Sequence, residues 1–343
     1  MTSAVSRSSY AAAIESALEE AMAADRRIIV MGEDVHMLRR GLRARFGPAR
    51  VRSCPISEAA FLGAAVGAAM GGLRPVVELM LVDFVGVALD ALLNQASKIA
   101  SFSGSRWDVP LVVRAACGGW YGDGGQHEQS LWGLLAGIPG LVVCAPSTPA
   151  DAAGLMLSSI ADDRPVVYLE HKLLSDYWLD YMGGATRDSV RFDVPSAGAF
   201  GDVEEPPRPV PLGEAVVRRK GDDLTIVSVA VGVHRALEAA SALVAKGIDA
   251  EVIDLRTIAP LDRDLVLRSV QKTGRLLVVD EDYRQFGLSG ELAAVVAEAG
   301  TPCRYARVAC EGTLPYARHL EVAALPNSDR ICEAASRLRS AGV

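Results

Sequence analysis

The sequence predicts an α/β protein built from two doubly wound domains, and three observations support this prediction. Apolar segments typical of strands alternate with helical segments in both halves of the chain, which indicates parallel sheets covered by helices on both faces. A stretch rich in Gly, Pro and charge separates the two series. The length of 343 residues favours two cores, because a single core usually stops growing near about 250–300 residues.

The first series occupies residues 1–175 and begins with an N-terminal segment that predicts an amphipathic helix. Glutamates interrupt that segment early, so it lacks a signal-peptide core. The segments that follow it predict, in order, a strand, a strand, a helix, a strand and then strand–turn–helix–strand. Their sequences are RRIIVMGEDV, RPVVELML, DALLNQASKIASF, VPLVVRAAC and GLVVCAPSTPADAAGLMLSSIADDRPVVYLE.

Residues 176–211 lose this pattern and are predicted to form a linker, after which a second domain spans residues 212–343. This domain is predicted to alternate strands and helices in the order β-α-β-α-β-α. The corresponding sequences are DLTIVSVAVG, VHRALEAASALVAKG, DAEVIDLR, APLDRDLVLRSVQKTG, RLLVVDED and SGELAAVVAEAG.

The amino-acid composition argues against several classes of partner and site. Half of the residues are apolar, 22% are charged and the net charge is -7, which argues against nucleic acid as a partner, since no basic patch is available to neutralise phosphates. The six cysteines contain no CxxC pair. This pattern favours free thiols in a reducing compartment over disulfides or a zinc site, so we expect a cytoplasmic protein.

One uncharged stretch, residues 59–73, carries glycines at positions 63, 67 and 71. This small-xxx-small spacing lets helix backbones approach closely. The stretch is too short to cross a bilayer, and Glu58 and Arg74 flank it. We expect a buried helix that packs closely against another helix, and a subunit interface is one setting for such a contact.

Glu58, Met80, Phe84 and His127 are the candidate site residues, and each has a structural alternative. A carboxylate beside an apolar helix is a candidate for a raised pKa, yet Glu58 could simply interact with the helix dipole. Met80 and Phe84 at a strand end could be core residues. His127, in GGQHEQS, could be a solvated loop residue. The other four histidines have no partners at metal-ligand spacing and are predicted to be structural, and His171 could also line the edge of a site.

Four motifs nevertheless resemble the beta subunit of thiamine-diphosphate-dependent 2-oxo acid dehydrogenases, and they occur in that family's order. These are GEDV, PISEAAFLGAAVGAAMGGLRPVVELMLVDF, HEQSLWGLLAGIPGLVVCAPSTPADAAGLM and VIDLRTIAPLDRDLV. The resemblance extends from about residue 8 to about residue 335 and is strongest to acetoin dehydrogenase beta subunits, followed by the pyruvate and branched-chain types. It implies a pyrimidine-binding domain of transketolase type followed by a transketolase C-terminal-like domain.

The resemblance also implies roles for the candidate residues. Glu58 matches the glutamate that hydrogen-bonds the aminopyrimidine ring of thiamine diphosphate and supports removal of the thiazolium proton. Phe84 matches the aromatic residue that packs on the pyrimidine, with Met80 beside it. His127 matches the histidine that acts on intermediates and helps to receive the lipoyl arm. The turn IADDRP resembles the family's monovalent-cation loop, which makes Asp162 a candidate potassium ligand.

Two departures from the family pattern and one false cue bear on this interpretation. The family's serine after the histidine is Glu128 here, which places a carboxylate beside His127 and puts the acyl acceptor in doubt. The GDG at residues 122–124 has no asparagine at the separation that a magnesium–diphosphate site needs. We therefore expect an alpha subunit to supply most of the Mg²⁺ site. The stretch from residue 175 to 211 is longer than the family's connection. Its aromatic start, DYWLDYMGG, could contact a partner or cover the site, and we expect a plain surface loop.

These inferences predict the beta subunit of an α2β2 heterotetramer that decarboxylates a 2-oxo acid or cleaves acetoin and passes the acyl group to lipoate on an acyltransferase partner. One alternative is an acyloin-forming ligase that uses the same cofactor without a lipoyl partner. A second is a non-catalytic scaffold subunit, and a third is a split transketolase acting on sugar phosphates. Sequence alone does not choose the substrate among these.

Overall fold

The computed structural model describes residues 4–183 and 192–340. Its strands, in chain order, are β1 (Ala4–Ser9), β2 (Ile28–Glu33), β3 (Val51–Cys54), β4 (Arg74–Leu81), β5 (Val112–Cys117), β6 (Val142–Cys144), β7 (Val166–His171), β8 (Phe200–Glu205), β9 (Val216–Arg219), β10 (Leu224–Ser228), β11 (Ala250–Asp254), β12 (Thr257–Ala259), β13 (Arg275–Tyr283) and β14 (Arg304–Cys310).

The helices cover the sheets and connect their strands. They are α1 (Tyr10–Ala24), α2 (Val35–Leu38), α3 (Arg40–Phe46), α4 (Glu58–Met70), α5 (Val85–Asp90), α6 (Ile99–Phe102), α7 (Trp132–Ala136), α8 (Pro149–Ala161), α9 (Asp176–Trp178), α10 (Ser196–Ala199), α11 (Val231–Val244), α12 (Arg263–Thr273), α13 (Leu288–Glu298), α14 (Arg318–Ala324) and α15 (Ser328–Ser340). A 3₁₀ turn spans Val82–Phe84, and π-helical turns span Ala91–Ala96 and Leu179–Gly183.

The first sheet has the strand order β12-β6-β7-β5-β4-β2-β3. All of its pairings are parallel except the one between β12 and β6. Strands β2, β5, β6 and β7 are buried along their whole length, as expected for a parallel sheet with helices on both faces. The predicted doubly wound first domain is therefore confirmed. Strand β12 adds a feature that its sequence does not suggest, because it comes from the second half of the chain.

The second sheet has the order β14-β13-β10-β11-β9 and is parallel except for the antiparallel edge strand β9. Local sequence signals set its helix ends. Helix α12 begins at an Asp262 N-cap, whose side chain accepts the Leu265 N–H, and ends at Gly274 with φ 65. The predicted strands and helices of this domain are all present, which confirms the fold class of the second half.

The N-terminus differs from the predicted continuous helix. Residues Ala4–Ser9 form β1, and α1 begins only at Tyr10, because the Ser9 side chain caps the helix by accepting the Ala12 N–H. Strand β1 pairs antiparallel with β8, which lies inside the predicted linker. The linker thus contains a strand and short helices, and it packs back onto the first domain through this two-stranded sheet. Residues 184–191 of the predicted linker lie outside the described residues.

Helix α4 contains most of the glycine-spaced stretch. Its Phe61, Leu62 and Ala65 are buried in the core of the first domain. The opposite face is exposed and consists of Ala59, Ala60, Gly63, Ala64 and Gly67. A Cβ atom added at Gly63 or Gly67 would meet no other atom within 4 Å. The expected close contact with another helix through the glycines therefore remains a prediction, and it would have to be with another molecule.

All six cysteines are free, and four of them are buried. Within the described ranges, none of the helices combines the length and the apolar character needed to span a bilayer.

Candidate active site

The candidate residues gather at the carboxyl edge of the first sheet. Strands β7, β5, β4, β2 and β3 lie side by side and parallel, so the residues that follow them share one edge. In this order the edge carries Lys172, the loop 118–130, the segment from Met80 to Phe84, Glu33 and Glu58. The carboxyl ends of parallel strands are where α/β sheets bind their ligands.

Phe84 and His127 contact each other at this edge. Their ring centroids are 6.0 Å apart and the rings are nearly perpendicular, at 84°, which is the edge-to-face arrangement that aromatic rings favour. Both side chains are partly exposed. The structure thus brings together a flat apolar surface and an imidazole that lie on separate loops in the sequence.

Met80 sits where β4 departs from regular geometry. Its φ is +63, a value that side-chain-bearing residues rarely adopt, and the pairing with β5 shifts between Glu78 and Leu81. Met80 and Phe84 pack together against a small apolar cluster formed by Leu81, Ala116 and Trp178. The strained turn therefore places Met80 beside Phe84, and strain of this kind concentrates at functional sites.

Glu58 begins helix α4 and is buried, with 8% of its surface exposed. Strand β2 lies between β3 and β4, so the end of β3, near Glu58, and the end of β4, near Phe84, are about 10 Å apart at the usual strand spacing. A planar ring fits within this distance. Glu58 therefore lies at the same edge of the sheet as Phe84, two strands away.

Glu33 is a further acidic residue at this edge, and the GEDV motif that contains it gave no indication of a role. It ends β2 and is buried. Burial, followed by the charges of Glu58 and Asp34, raises the pKa of Glu33. The pairing of two carboxyls at adjacent strand ends depends on the strand order, which the motif itself does not reveal.

The loop that carries His127 is closed on itself. The Gly118 N–H donates to the Gln129 carbonyl at 3.0 Å. Inside the loop, the Glu128 carboxylate accepts the N–H groups of Tyr121 and Gly122 at 2.7 Å each and of Gly124 at 3.0 Å. Glu128 is fully buried. Its carboxylate thus holds the loop backbone together.

The sequence places the Glu128 carboxylate beside His127, and the structure shows where that carboxylate is directed. The carboxylate points into the loop, where burial is the main reason that the pKa of Glu128 is raised to about 7. Lys172 opposes this rise and Glu321 adds to it. Glu128 therefore contributes to the architecture of the loop rather than to its surface.

Lys172 is a site residue that the sequence motifs did not identify. It is fully buried directly after β7, and its Nζ donates to the His127 carbonyl oxygen. The ammonium also lies 4.9 Å from the centre of the Tyr121 ring. Burial lowers the pKa of Lys172, and the carboxylates of Glu128 and Asp123 oppose this change. The sequence does contain a signal for this residue, because a lysine directly follows a strand that is apolar enough to be buried.

The aromatic start of the predicted linker is part of the site wall, which makes the surface-loop expectation wrong for this segment. Trp178 is 1% exposed and packs on Leu81 and Ala116. Its carbonyl accepts the Tyr121 hydroxyl, and Tyr177 packs against the same cluster. Apolar burial next to Phe84 explains why this segment folds back onto the domain.

Three of the remaining histidines have hydrogen-bond partners. His171 is fully buried and bonds Glu281 at 3.1 Å, while Nε2 of His234 lies 2.7 Å from the Ser147 carbonyl oxygen. His36 pairs with Ser53 at 2.8 Å. Within residues 4–183 and 192–340, no group of three or more His, Cys, Asp or Glu side chains is arranged to hold a metal ion.

Asp162 is the C-cap of α8 and precedes β7, whereas Lys172 follows that strand, so Asp162 lies toward the opposite end of β7 from the candidate site. Its carboxylate accepts hydrogen bonds from the Arg164 backbone N–H and guanidinium at 2.7–3.0 Å, and its carbonyl oxygen accepts from Arg74 at 3.1 Å. Partial burial opposes ionisation, yet the hydrogen bonds from Arg164 outweigh it and lower the pKa of Asp162. A cation at this turn would have to compete with two guanidinium groups, so the residues as placed do not form a ready potassium site.

The chain matches two family models, one for each predicted domain. The transketolase pyrimidine-binding domain matches residues 6–176, and the transketolase C-terminal domain matches residues 213–331. Among solved structures, a split-gene transketolase described as an inactive beta4 tetramer superposes with a TM-score of 0.77 over 95% of this chain and 96% of that one, at 22% identity. Transketolase from Leishmania mexicana gives a TM-score of 0.66 at 17% identity, and this chain spans 47% of it. At these identities the superpositions establish the fold alone.

Curated relatives are more similar in sequence. The acetoin:2,6-dichlorophenolindophenol oxidoreductase subunit beta of Cupriavidus necator is 37% identical, covering 96% of this chain and 97% of the relative. The 2-oxoisovalerate dehydrogenase subunit beta of Bacillus subtilis is 36% identical, with 96% and 97% covered. The pyruvate dehydrogenase E1 component subunit beta of Rickettsia felis is 37% identical, with 95% and 96% covered. The chain therefore belongs to the family of beta subunits of thiamine-diphosphate-dependent 2-oxo acid and acetoin dehydrogenases.

Proposed function

We propose that this chain forms half of an active site that releases an acyl group from a 2-oxo acid or from acetoin and transfers it to lipoate. The observation that carries the proposal is the contact between Phe84 and His127 on the sheet edge that also holds Glu58. An aromatic surface, a buried carboxyl and an imidazole are the groups that binding a pyrimidine ring and moving protons require. Identities of 36–37% to acetoin, 2-oxoisovalerate and pyruvate enzymes leave the substrate to be measured.

The residues at the edge fit the pyrimidine half of thiamine diphosphate. Met80 and Phe84 provide an apolar surface beside the partly exposed His127, and Glu58 offers a buried carboxyl two strands away. When bound, thiamine diphosphate supplies a nucleophilic thiazolium carbon. In this proposal Glu58 holds a proton at the pyrimidine ring nitrogen, and Phe84 packs on the ring and orients it. His127 moves protons at the substrate oxygen.

The partner proposal rests on what the sequence lacks. The chain has only two asparagines, Asn94 and Asn327, and neither follows Asp123 at the separation that a magnesium–diphosphate site needs. An alpha subunit would hold Mg²⁺ and the diphosphate, in an α2β2 heterotetramer. The exposed face of Ala59, Ala60, Gly63, Ala64 and Gly67 on α4 is suited to close packing against a helix of another subunit.

Calorimetry tests this division of the site. Thiamine diphosphate is titrated in Mg²⁺ buffer into this chain alone and into its mixture with an alpha-type subunit from the same genome. We expect no binding to the single chain and tight binding to the mixture. Tight binding by the single chain would show that the diphosphate site lies here and would overturn the subunit proposal. Acetoin and pyruvate are the first substrates to assay.

The alternatives make different predictions. An acyloin-forming ligase would turn over without a lipoyl acyltransferase, and the buried position of Glu128 removes one reason to favour it. A scaffold subunit would tolerate loss of Glu58. A lipoyl acyltransferase encoded nearby, together with acyl transfer to free lipoamide, would support the dehydrogenase over both.

Potassium at Asp162 stays a prediction of the resemblance. Arg164 and Arg74 already bind the Asp162 oxygens, and potassium has no part in the proposed reaction. The melting temperature of the complex in potassium, compared with the same concentration of choline chloride, tests it. A higher melting temperature in potassium, lost in Asp162→Ala, would support a cation site at this turn.

A further inference from the structure

The end of strand β13, in the C-terminal domain, is hydrogen-bonded to the segment that carries His127. Four consecutive residues, Asp280 to Tyr283, each contact that segment. Asp280 accepts the Trp132 indole N–H at 2.9 Å, and Glu281 accepts the Gly119 N–H at 2.6 Å. Asp282 accepts the Gly133 N–H at 2.8 Å, and the Tyr283 hydroxyl donates to the Gln129 Oε1 at 2.9 Å. One strand end of the second domain thus contacts both ends of the loop 118–130 and the first residues of α7, which follows it.

Two of these bonds reach the ends of the loop on either side of His127. Gly119 lies before it and Gln129 after it, and the Gly118–Gln129 backbone bond closes the loop between them. The loop and the second domain are closely packed where these bonds form, so the backbone of the loop has little space in which to move. A Cβ atom at Gly133 would lie 2.9 Å from the Gly287 Cα, and one at Gly119 would lie 2.8 Å from the Leu325 side chain. Glu281 and Tyr283 therefore hold both ends of the loop in a closely packed setting.

Gln129 extends the contact to the other side of the site. Its Nε2 and its backbone N–H both donate to the Asp83 Oδ1, at 2.9 and 3.3 Å. Because the amide nitrogen faces a carboxylate, the amide oxygen is the atom that accepts the Tyr283 hydroxyl. Asp83 directly precedes Phe84. The chain Tyr283–Gln129–Asp83 therefore connects the second domain with both partners of the Phe84–His127 contact.

Glu281 is itself held in place. Its carboxylate lies 3.1 Å from the His171 Nε2, and the His171 Nδ1 accepts the Leu173 N–H at 3.2 Å. The histidine proton therefore sits on Nε2 and is donated to Glu281. Burial acts to raise the pKa of Glu281, but the His171 contact overcomes it and lowers that pKa. An ionised carboxylate is the stronger acceptor for the Gly119 N–H.

We propose that Glu281 and Tyr283 are positioning residues, through which the C-terminal domain fixes His127 relative to Phe84. The role of His127 rests on the proposed function, whereas the ordering of the loop does not. The second domain would then contribute to the reaction without touching the substrate.

The first test measures loop order in the full chain and is independent of activity. Hydrogen–deuterium exchange is followed in peptides covering residues 118–130 for the wild-type chain and for Tyr283→Phe. Loss of one hydrogen bond should speed exchange there by about threefold to tenfold. Tyr168→Phe is the matched control, because the buried Tyr168 hydroxyl donates to the Ala152 carbonyl on α8 at 2.8 Å, away from the loop. Unchanged exchange in Tyr283→Phe, or equal changes in both variants, would overturn the proposal.

The second test separates positioning from general stability in the reconstituted complex. Tyr283→Phe should lower kcat by about threefold to tenfold, and this factor should disappear in a His127→Ala background, since a positioning effect acts through His127. An unchanged factor in that background would contradict the proposal and leave a structural role. If His127→Ala alone keeps full activity, the proposed function of His127 is wrong. The hydrogen–deuterium exchange result then still shows whether Tyr283 orders the loop 118–130.

Discussion

Phe84 and His127 meet edge to face with their ring centroids 6.0 Å apart, although one follows strand β4 and the other lies in the loop after β5. The contact exists because β4 and β5 are hydrogen-bonded neighbours in the sheet. A 3₁₀ turn at Val82–Phe84 follows strand β4. The Gly118–Gln129 backbone bond turns the segment after β5 back toward Phe84. The pair is therefore a product of strand order and loop closure together.

Removing the imidazole should disable the enzyme without unfolding it. His127→Ala is expected to lower kcat of the reconstituted complex by at least about a hundredfold, because the proton transfer proposed for the imidazole is lost. His319→Ala is the control, since His319 is exposed and has no role in the proposed reaction. Steady-state assays with acetoin and pyruvate make the comparison, and similar rates for the two variants would refute the assignment.

Glu58→Gln tests whether this chain is catalytic at all. The amide keeps the shape of the side chain but cannot hold or release the proton, so we expect a loss of about a hundredfold or more in kcat. Glu311→Gln serves as control because the Glu311 side chain is 63% exposed, where such charges contribute little. Full activity in Glu58→Gln would favour the scaffold alternative.

The burial of Trp178 predicts a large effect on stability. Trp178 is 1% exposed against Leu81 and Ala116, so Trp178→Ala should reduce the free energy of unfolding by about 3–5 kcal/mol. Trp107→Ala makes the same substitution at a side chain that is 55% exposed, and it should cost well under half as much. Urea denaturation of the chain measures both. Equal losses would mean that the DYW segment does not pack on the site wall.

The raised pKa of Glu128 predicts a specific pH dependence. Burial raises its pKa from 4.5 in the unfolded chain to about 7 in the folded one, so the folded state binds the proton more tightly. The stabilisation that this proton provides is complete below about pH 4.5 and is lost as the pH rises through 7. Between pH 5.5 and pH 8 the wild-type chain should lose about 2 kcal/mol relative to Glu128→Gln.

Denaturation of both chains at the two pH values checks this prediction. Comparing wild type with Glu128→Gln cancels other titrating groups, including the buried Asp280, whose pKa burial also raises to about 7. A difference between the chains that does not change with pH would show that Glu128 stays ionised throughout this range. The lysine at position 172 would then be its dominant neighbour.

Local patterns were sufficient to predict most of the fold. Continuous apolar strands such as β2 and β7 are buried on both faces, and their composition predicts this without any tertiary knowledge. Helix caps could be predicted as well, as at Asp262 and Gly274 around α12. The pairing of β1 with β8 and the crossing of β12 into the first sheet could not, because pairing between distant strands leaves no local signature.

The site residues also divide into those that the sequence predicted and those that only the structure revealed. Glu58, Met80, Phe84 and His127 were candidates from the sequence, and the resemblance to the family implied their roles. Glu33 stands in the GEDV motif without an implied role, and Lys172 and Tyr283 lie outside the four motifs. Lys172 reaches the His127 carbonyl from the end of β7, and Tyr283 reaches Gln129 from another domain. Glu128 was interpretable only as a charge beside a histidine. The three N–H groups it accepts depend on how the loop closes.

The sequence by itself determined the two-domain α/β class, the family and the chemical groups of the candidate site, because apolar periodicity, caps and motifs are local properties. The tertiary structure alone decided which strand ends lie side by side, where the Glu128 carboxylate points and that Asp280 to Tyr283 follow the His127 loop. The physical reason is that strand order and domain contact are set by burial of apolar surface and by hydrogen bonding between segments far apart in the chain.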